Sequence, residues 1–232
     1  MLKPGADPEY EAWYGTILGG IVDDGFRLAR AVPTRDGAWT HEGWSATLAV
    51  AGKEPDHPRS PAWEGIIEAG RAFHRATAGL SRPAFLDRVD SSWSRADLRA
   101  WSDDDVDVSP DLRPLVVRLR AACTDLGPEQ LIHGDLTRNV LFAPGLPPTV
   151  IDVSPYWRPV SYAEGVVLAD ALCWHGASAA LLDELGVSVA AVSRALLFRA
   201  LTSQEFANRG MKRETFLGEI VRYEAAATAI GL

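Results

Sequence analysis

Apolar positions recur at helical steps in residues 7–21, DPEYEAWYGTILGGI, where Tyr10, Trp13, Tyr14, Ile17, Leu18 and Ile21 share one face. That spacing predicts a helix, capped by Asp7 and opened by Pro8. Residues 26–32, FRLARAV, and 38–50, AWTHEGWSATLAV, are rich in strand formers. They predict two strands joined by a turn at residues 34–37, where Asp-Gly supplies the turn chemistry. Residues 52–61, GKEPDHPRSP, combine proline, glycine and charge, the composition of a linker. The helical period returns at 62–79, ending near Gly79, and again at 111–126. Between them, 81–110 is irregular and carries the acidic run DDDVD at 103–107. From 160 to 230 the chain predicts Ala- and Leu-rich amphipathic helices throughout.

These elements predict an α+β fold in two parts. Residues 1–51 form a small lobe of strands and one helix, 52–61 link it, and 62–232 form a helical lobe carrying a hairpin at 131–155. A chain of 232 residues with 47% hydrophobic content supports one large domain or two small lobes around a cleft. The net charge of −8 argues against nucleic acid and against an anionic membrane as partners. No run of about eighteen apolar residues is present, so no membrane span is expected. The opening MLKPGADPEY lacks the apolar core of a signal peptide. Two cysteines, Cys123 and Cys173, are too few for a disulfide framework and read as buried thiols in a reducing, cytoplasmic setting.

The unusual chemistry sits in residues 131–142, LIHGDLTRNVLF, where a His, a Gly, an Asp and an Asn interrupt strand-forming ends. A turn, APGLPP, comes next, and TVID then places Asp152 at the end of a second short strand. A hairpin of this kind brings Asp135, Asn139 and Asp152 together. Phosphoryl transfer uses such a set: one carboxylate orients the attacking hydroxyl and takes its proton, while an amide oxygen and a second carboxylate hold magnesium. Oxygen donors suit that hard cation.

HGDLTRN with VID after it resembles the catalytic loop and metal-binding aspartate of aminoglycoside phosphotransferases, small-molecule relatives of protein kinases. The resemblance runs from Lys3 to about Trp174, and DLTRNVLF and VIDVSPYWRP resemble more narrowly an actinobacterial-type group of such proteins. It implies a kinase-like two-lobe fold and an ATP- and magnesium-dependent transfer to a hydroxyl of a small molecule. It implies Asp135 as catalytic base and Asn139 and Asp152 as magnesium ligands. His133 and Gly134 would shape the loop, and Asp170, in VVLADAL, would brace it. His74, in GRAFHRA, matches a helical histidine of the family and reads as structural. Lys3 would bind the nucleotide phosphates and pair with Glu11, or with Glu9, since helical phase does not separate the two. Position along the chain puts the nucleotide hinge at the end of the second strand, Thr47 to Val50.

The sequence departs from the family in four places. The interval from Asp135 to Asn139 is one residue shorter than usual, and Thr137 stands where many relatives have His. Val-Ser, not Phe-Gly, comes after Asp152. No Gly-rich hairpin precedes Lys3, which raises the expectation that the gene starts upstream of Met1. The sheet would then expose an edge to a second copy, giving a homodimer, or leave the N-terminus disordered. The other reading of such a chain is a non-catalytic, pseudokinase-type protein that binds a nucleotide or a partner. A metal-dependent hydrolase would need denser ligation than this. The eight tryptophans read as packing residues, with the exception of Trp157, which with Tyr156 lies just past Asp152 and is expected to border the substrate cleft. The acidic run reads as a solvated loop before it reads as a site for a cationic substrate.

Overall fold

The computed structural model describes residues 1–55, 60–104 and 106–232. Asp105 of the acidic run, and residues 56–59 of the expected linker, lie outside the described residues. The strands are β1 (Leu2–Pro4), β2 (Arg27–Leu28), β3 (Thr40–His41), β4 (Trp44–Ala46), β5 (Glu129–His133), β6 (Val140–Leu141), β7 (Thr149–Val150) and β8 (Pro155–Pro159). The helices are α1 (Pro8–Thr16), α2 (Ser60–Thr77), α3 (Ser92–Trp101), α4 (Arg113–Ala122), α5 (Val160–Trp174), α6 (Leu181–Leu185), α7 (Val189–Asn208) and α8 (Arg213–Ala229).

Two compact units divide the chain. The first gathers Met1–Pro55, Gly65–Arg88 and Gln130–Trp157. The second contains Val89–Glu129 and Arg158–Leu232 with the start of α2. This partition differs from a cut at residues 52–61, because the hairpin at 131–155 packs with the N-terminal residues.

In the first unit, β1, β4 and β3 form one antiparallel sheet, with Lys3 opposite Ser45. A second sheet has the order β2-β7-β6. Here β2 runs parallel to β7, with Leu28 opposite Val150, and β6 runs antiparallel to it, with Val140 opposite Val150. Strands β5 and β8 form a separate two-stranded ladder. Helix α1 begins where its caps dictate: the Asp7 carboxylate accepts the N–H groups of Glu9 and Tyr10, each at 2.9 Å.

The structure corrects three expectations here. Residues 38–50 are not one strand. Glu42 and Gly43 both take positive φ, 48° and 76°, so the chain folds back between β3 and β4 in a two-residue turn. The turn at 34–37 does form, with Gly37 N–H donating to Thr34 O at 3.0 Å. The helix expected over 7–21 ends at Thr16, and a 3-10 turn, Leu18–Gly20, continues it. The stretch 81–110 is not irregular throughout, since it contains α3, whose Ser91 and Ser94 form a reciprocal capping box.

In the second unit α7 is the central helix, buried along most of its length. Helix α5 comes close to it because Gly165 carries no side chain to strike the Ala191 backbone. Two buried charges of α7, Glu205 and Arg199, are paired. Glu205 accepts from Arg95 at 2.9 Å and Arg99 at 2.8 Å. Arg199 grips the Asp170 carboxylate with two bonds, at 2.8 and 2.6 Å. Among the described residues no helix is long and apolar enough to cross a membrane.

Candidate active site

Asp135, Asn139, Asp152, His133 and Lys3 all fall in the first unit. Strand β5 ends at His133, whose fully buried imidazole fixes the path of the loop beyond it. The ring Nδ1 accepts the Asp135 N–H at 3.1 Å. The neutral ring then carries its proton on Nε2, which donates to Ile151 O at 3.1 Å. One side chain thus ties the residue bearing the candidate base to the residue preceding the candidate metal ligand. Burial lowers the His133 pKa, so the neutral ring that this pattern needs is the stable form.

Gly134 is required by a neighbour. Its N–H donates to Ser154 O at 2.8 Å, and a Cβ at this position would overlap the Tyr156 ring. Leu136 seats in the space left by Gly70 of α2 and anchors the loop to that helix.

The amide of Asn139 donates from Nδ2 to Asp135 O at 2.6 Å, with Asp135 Oδ2 at 3.4 Å. That assignment leaves Asn139 Oδ1 as an acceptor with no hydrogen bond among the described residues. The Asn139 backbone carbonyl accepts the Ile151 N–H at 2.9 Å, joining the two loops a second time. Asp152 takes φ of 49°, a left-handed conformation that is rare for a residue with a side chain.

The donor types suit a magnesium ion: one half-exposed carboxylate, Asp152, and one amide oxygen, Asn139. Among the described residues no group of three or more His, Cys, Asp or Glu side chains is placed to hold a metal ion.

Two nucleotide-site expectations are corrected. Lys3 does not pair with Glu11. Its ammonium forms an ion pair with Asp152, and the two side chains are 39% and 48% exposed. Glu11 is buried at 9% exposure and has no ion pair among the described residues, while Glu9 pairs with Arg88. The register explains this. Lys3 sits mid-strand in β1, and its side chain runs to the Asp152 turn and not to α1. Thr47 is the other correction. Its N–H donates to Met1 O at 3.0 Å and its carbonyl accepts from the Met1 amino group at 2.6 Å, so both groups serve the sheet. The Val50 backbone makes no hydrogen bond among the described residues and is the hinge position left open. Asp170 lies in the second unit, where Arg199 holds it.

Sequence reasoning missed Tyr10. Its hydroxyl donates to Val153 O at 2.7 Å, directly after Asp152. Helical spacing had marked it only as an apolar-face residue. It also set His74 aside as structural without its contact: Nε2 accepts the His133 N–H at 3.1 Å, one step back along the same chain of bonds.

No family model and no curated protein matches the chain. Solved structures do. An aminoglycoside phosphotransferase from Alicyclobacillus acidocaldarius superposes with a TM-score of 0.60 at 15% identity, over 99% of this chain and 82% of that one. Spectinomycin phosphotransferase, in an AMP-bound complex, gives a TM-score of 0.60 at 12% identity, over 100% of this chain and 87% of that one. Aminoglycoside 2'-phosphotransferase-IIIa, in its GDP complex, gives 0.54 at 12% identity, over 95% and 81%. The chain has the kinase-like α+β fold of the aminoglycoside phosphotransferases.

Proposed function

We propose that this protein is a phosphotransferase that moves the terminal phosphoryl group of a nucleoside triphosphate, ATP in the first instance, to a hydroxyl of a small molecule. The observation that carries the reading is the doubly bonded pair of loops. His133 and the Asn139 backbone join the residue bearing the candidate base to the residue preceding the candidate metal ligand, in a chain with this fold. Fold alone would not suffice, since one fold hosts many activities.

In this reading Asp135 accepts a hydrogen bond from the substrate hydroxyl and takes its proton as the oxygen attacks phosphorus. Asn139 Oδ1 and the Asp152 carboxylate would hold magnesium, which supplies charge stabilisation for the phosphates. Lys3, freed from Asp152, is within one side chain of the same charges. The Val50 backbone offers a donor and an acceptor for a base edge. Structures of the fold neighbours contain AMP, ADP and GDP, which supports a nucleotide as the bound species. The free edge of β1 suits pairing with a second copy, and we place the protein in the cytoplasm.

Thermal unfolding with and without magnesium-ATP, repeated on Asp152→Ala, tests the proposal. A ligand that binds only the folded state raises the midpoint. A magnesium-dependent rise that the variant loses supports the reading, and ATP hydrolysis in a substrate screen then separates an enzyme from a nucleotide-binding pseudokinase. No rise at millimolar nucleotide counts against it.

A further inference from the structure

We propose that Tyr10 is a positioning residue which, with His133, clamps the Asp152 turn in the conformation that offers its carboxylate to a metal ion. The inference rests on the phosphotransferase reading above and deepens its metal site. A left-handed backbone at a residue with a side chain persists only where the surroundings over-determine it. At Asp152, φ 49°, they do so from both sides. The carbonyl before it, Ile151 O, accepts from His133 Nε2 at 3.1 Å. The carbonyl after it, Val153 O, accepts from the Tyr10 hydroxyl at 2.7 Å. The two donors come from β5 and α1, elements that belong to different stretches of the chain. Val153 has no polar side chain of its own, so a tether at this point has to come from elsewhere.

The Tyr10 ring is aimed before it donates. It lies 5.9 Å, centre to centre, from each of Trp13, Tyr14 and Phe85. Burial, reinforced by Tyr14, Glu11 and Asp152, raises the phenol pKa, so the hydroxyl remains a donor. Tyr10 also links helix α1 to the metal turn through one atom, and any shift of α1 changes the constraint on Asp152.

The test measures binding of manganese(II) alone, by electron paramagnetic resonance, to wild type, Tyr10→Phe and Asp152→Asn. The phenylalanine keeps the ring packing and removes one hydrogen bond. We expect affinity for manganese to fall about fivefold in Tyr10→Phe, equivalent to ~1 kcal/mol, with cooperative unfolding retained. A purely structural role would lower the melting midpoint and leave the folded protein's manganese affinity unchanged, and that result overturns the inference alone. Wild type that does not bind manganese, or Asp152→Asn that binds as tightly as wild type, overturns the metal-site reading and this inference with it. If Tyr10→Phe does not fold, wild type decides the matter. Protection of the Tyr10 hydroxyl proton from exchange, with a hydrogen-bonded carbon shift at the Val153 carbonyl, supports the clamp, and a freely exchanging hydroxyl overturns it.

Discussion

The His74 imidazole accepts the backbone N–H of His133 at 3.1 Å, and His133 in turn accepts the backbone N–H of Asp135 through its own ring. Two neutral histidines thus stand in series behind the candidate base. Each must carry its proton on the nitrogen that does not accept. For His74 that is Nδ1, which finds no partner among the described residues.

This series makes the fold acid-sensitive. Burial, with His133 beside it, pushes the His74 pKa down to about 3, and burial lowers that of His133. Above about pH 6.5 both folded and unfolded chains hold these rings neutral, and no penalty exists. As pH falls below that value the unfolded chain binds protons first, so stability drops, until the folded rings also protonate. The slope approaches ~1.4 kcal/mol per pH unit for His74, and the lowered His133 pKa adds in the same direction. Urea unfolding at pH 7 and pH 5 measures it. His74→Gln, which keeps an acceptor near the Nε2 position, should lose part of the slope and retain the fold. His74→Phe should destabilise at both pH values by ~1–3 kcal/mol, because the buried His133 N–H is left unpaired.

Gly134→Ala should distort the loop that carries Asp135. The added Cβ meets the Tyr156 ring, with a cost of ~1–3 kcal/mol expected for overpacking. Combining it with Tyr156→Ala removes the obstacle. A double variant more stable than the sum of the two single changes, measured in denaturant, would show that the ring is the cause.

Lys3→Ala should have opposite effects on two ligands. The ammonium now sits on the carboxylate a metal would use. Its removal should tighten manganese binding in the absence of nucleotide and weaken magnesium-nucleotide binding. The ion pair is half exposed, so the melting midpoint should barely move. Weaker binding of manganese alone would count against competition at Asp152.

Asp135→Asn keeps the shape of the loop and removes the proton acceptor. Turnover on a productive hydroxyl substrate should fall by ~10²–10⁴, the usual weight of a general base. The magnesium-nucleotide thermal shift should survive. Loss of that shift would make Asp135 a binding residue instead.

The sequence made some features legible and hid others for physical reasons. Asp7 and Pro8 marked the start of α1 because capping is local chemistry. The loop HGDLTRN and the later VID stood out because polar residues broke strand-forming runs. Helix α3 was missed although Trp93, Ala96, Ala100 and Trp101 recur at helical steps, because polar Ser92 and Asp97 share its buried face, Asp97 through its ion pair with Arg158. The fold at Glu42–Gly43 was hidden by strand-like residues on both sides. The partners of Lys3 and Tyr10 are set by contacts 149 and 143 residues away, which spacing along the chain does not encode.

The parallel pairing of β2 with β7 sets a condition on how the molecule is made. Arg27 N–H finds its acceptor at Pro148, and the residues around it find theirs only after the chain has extended past them. The first unit cannot close during synthesis until Trp157 has left the ribosome, so the N-terminal third waits with its edge uncovered. Long-range pairing of this kind folds slowly, and the waiting segment is the point at which chaperones or aggregation compete for the chain.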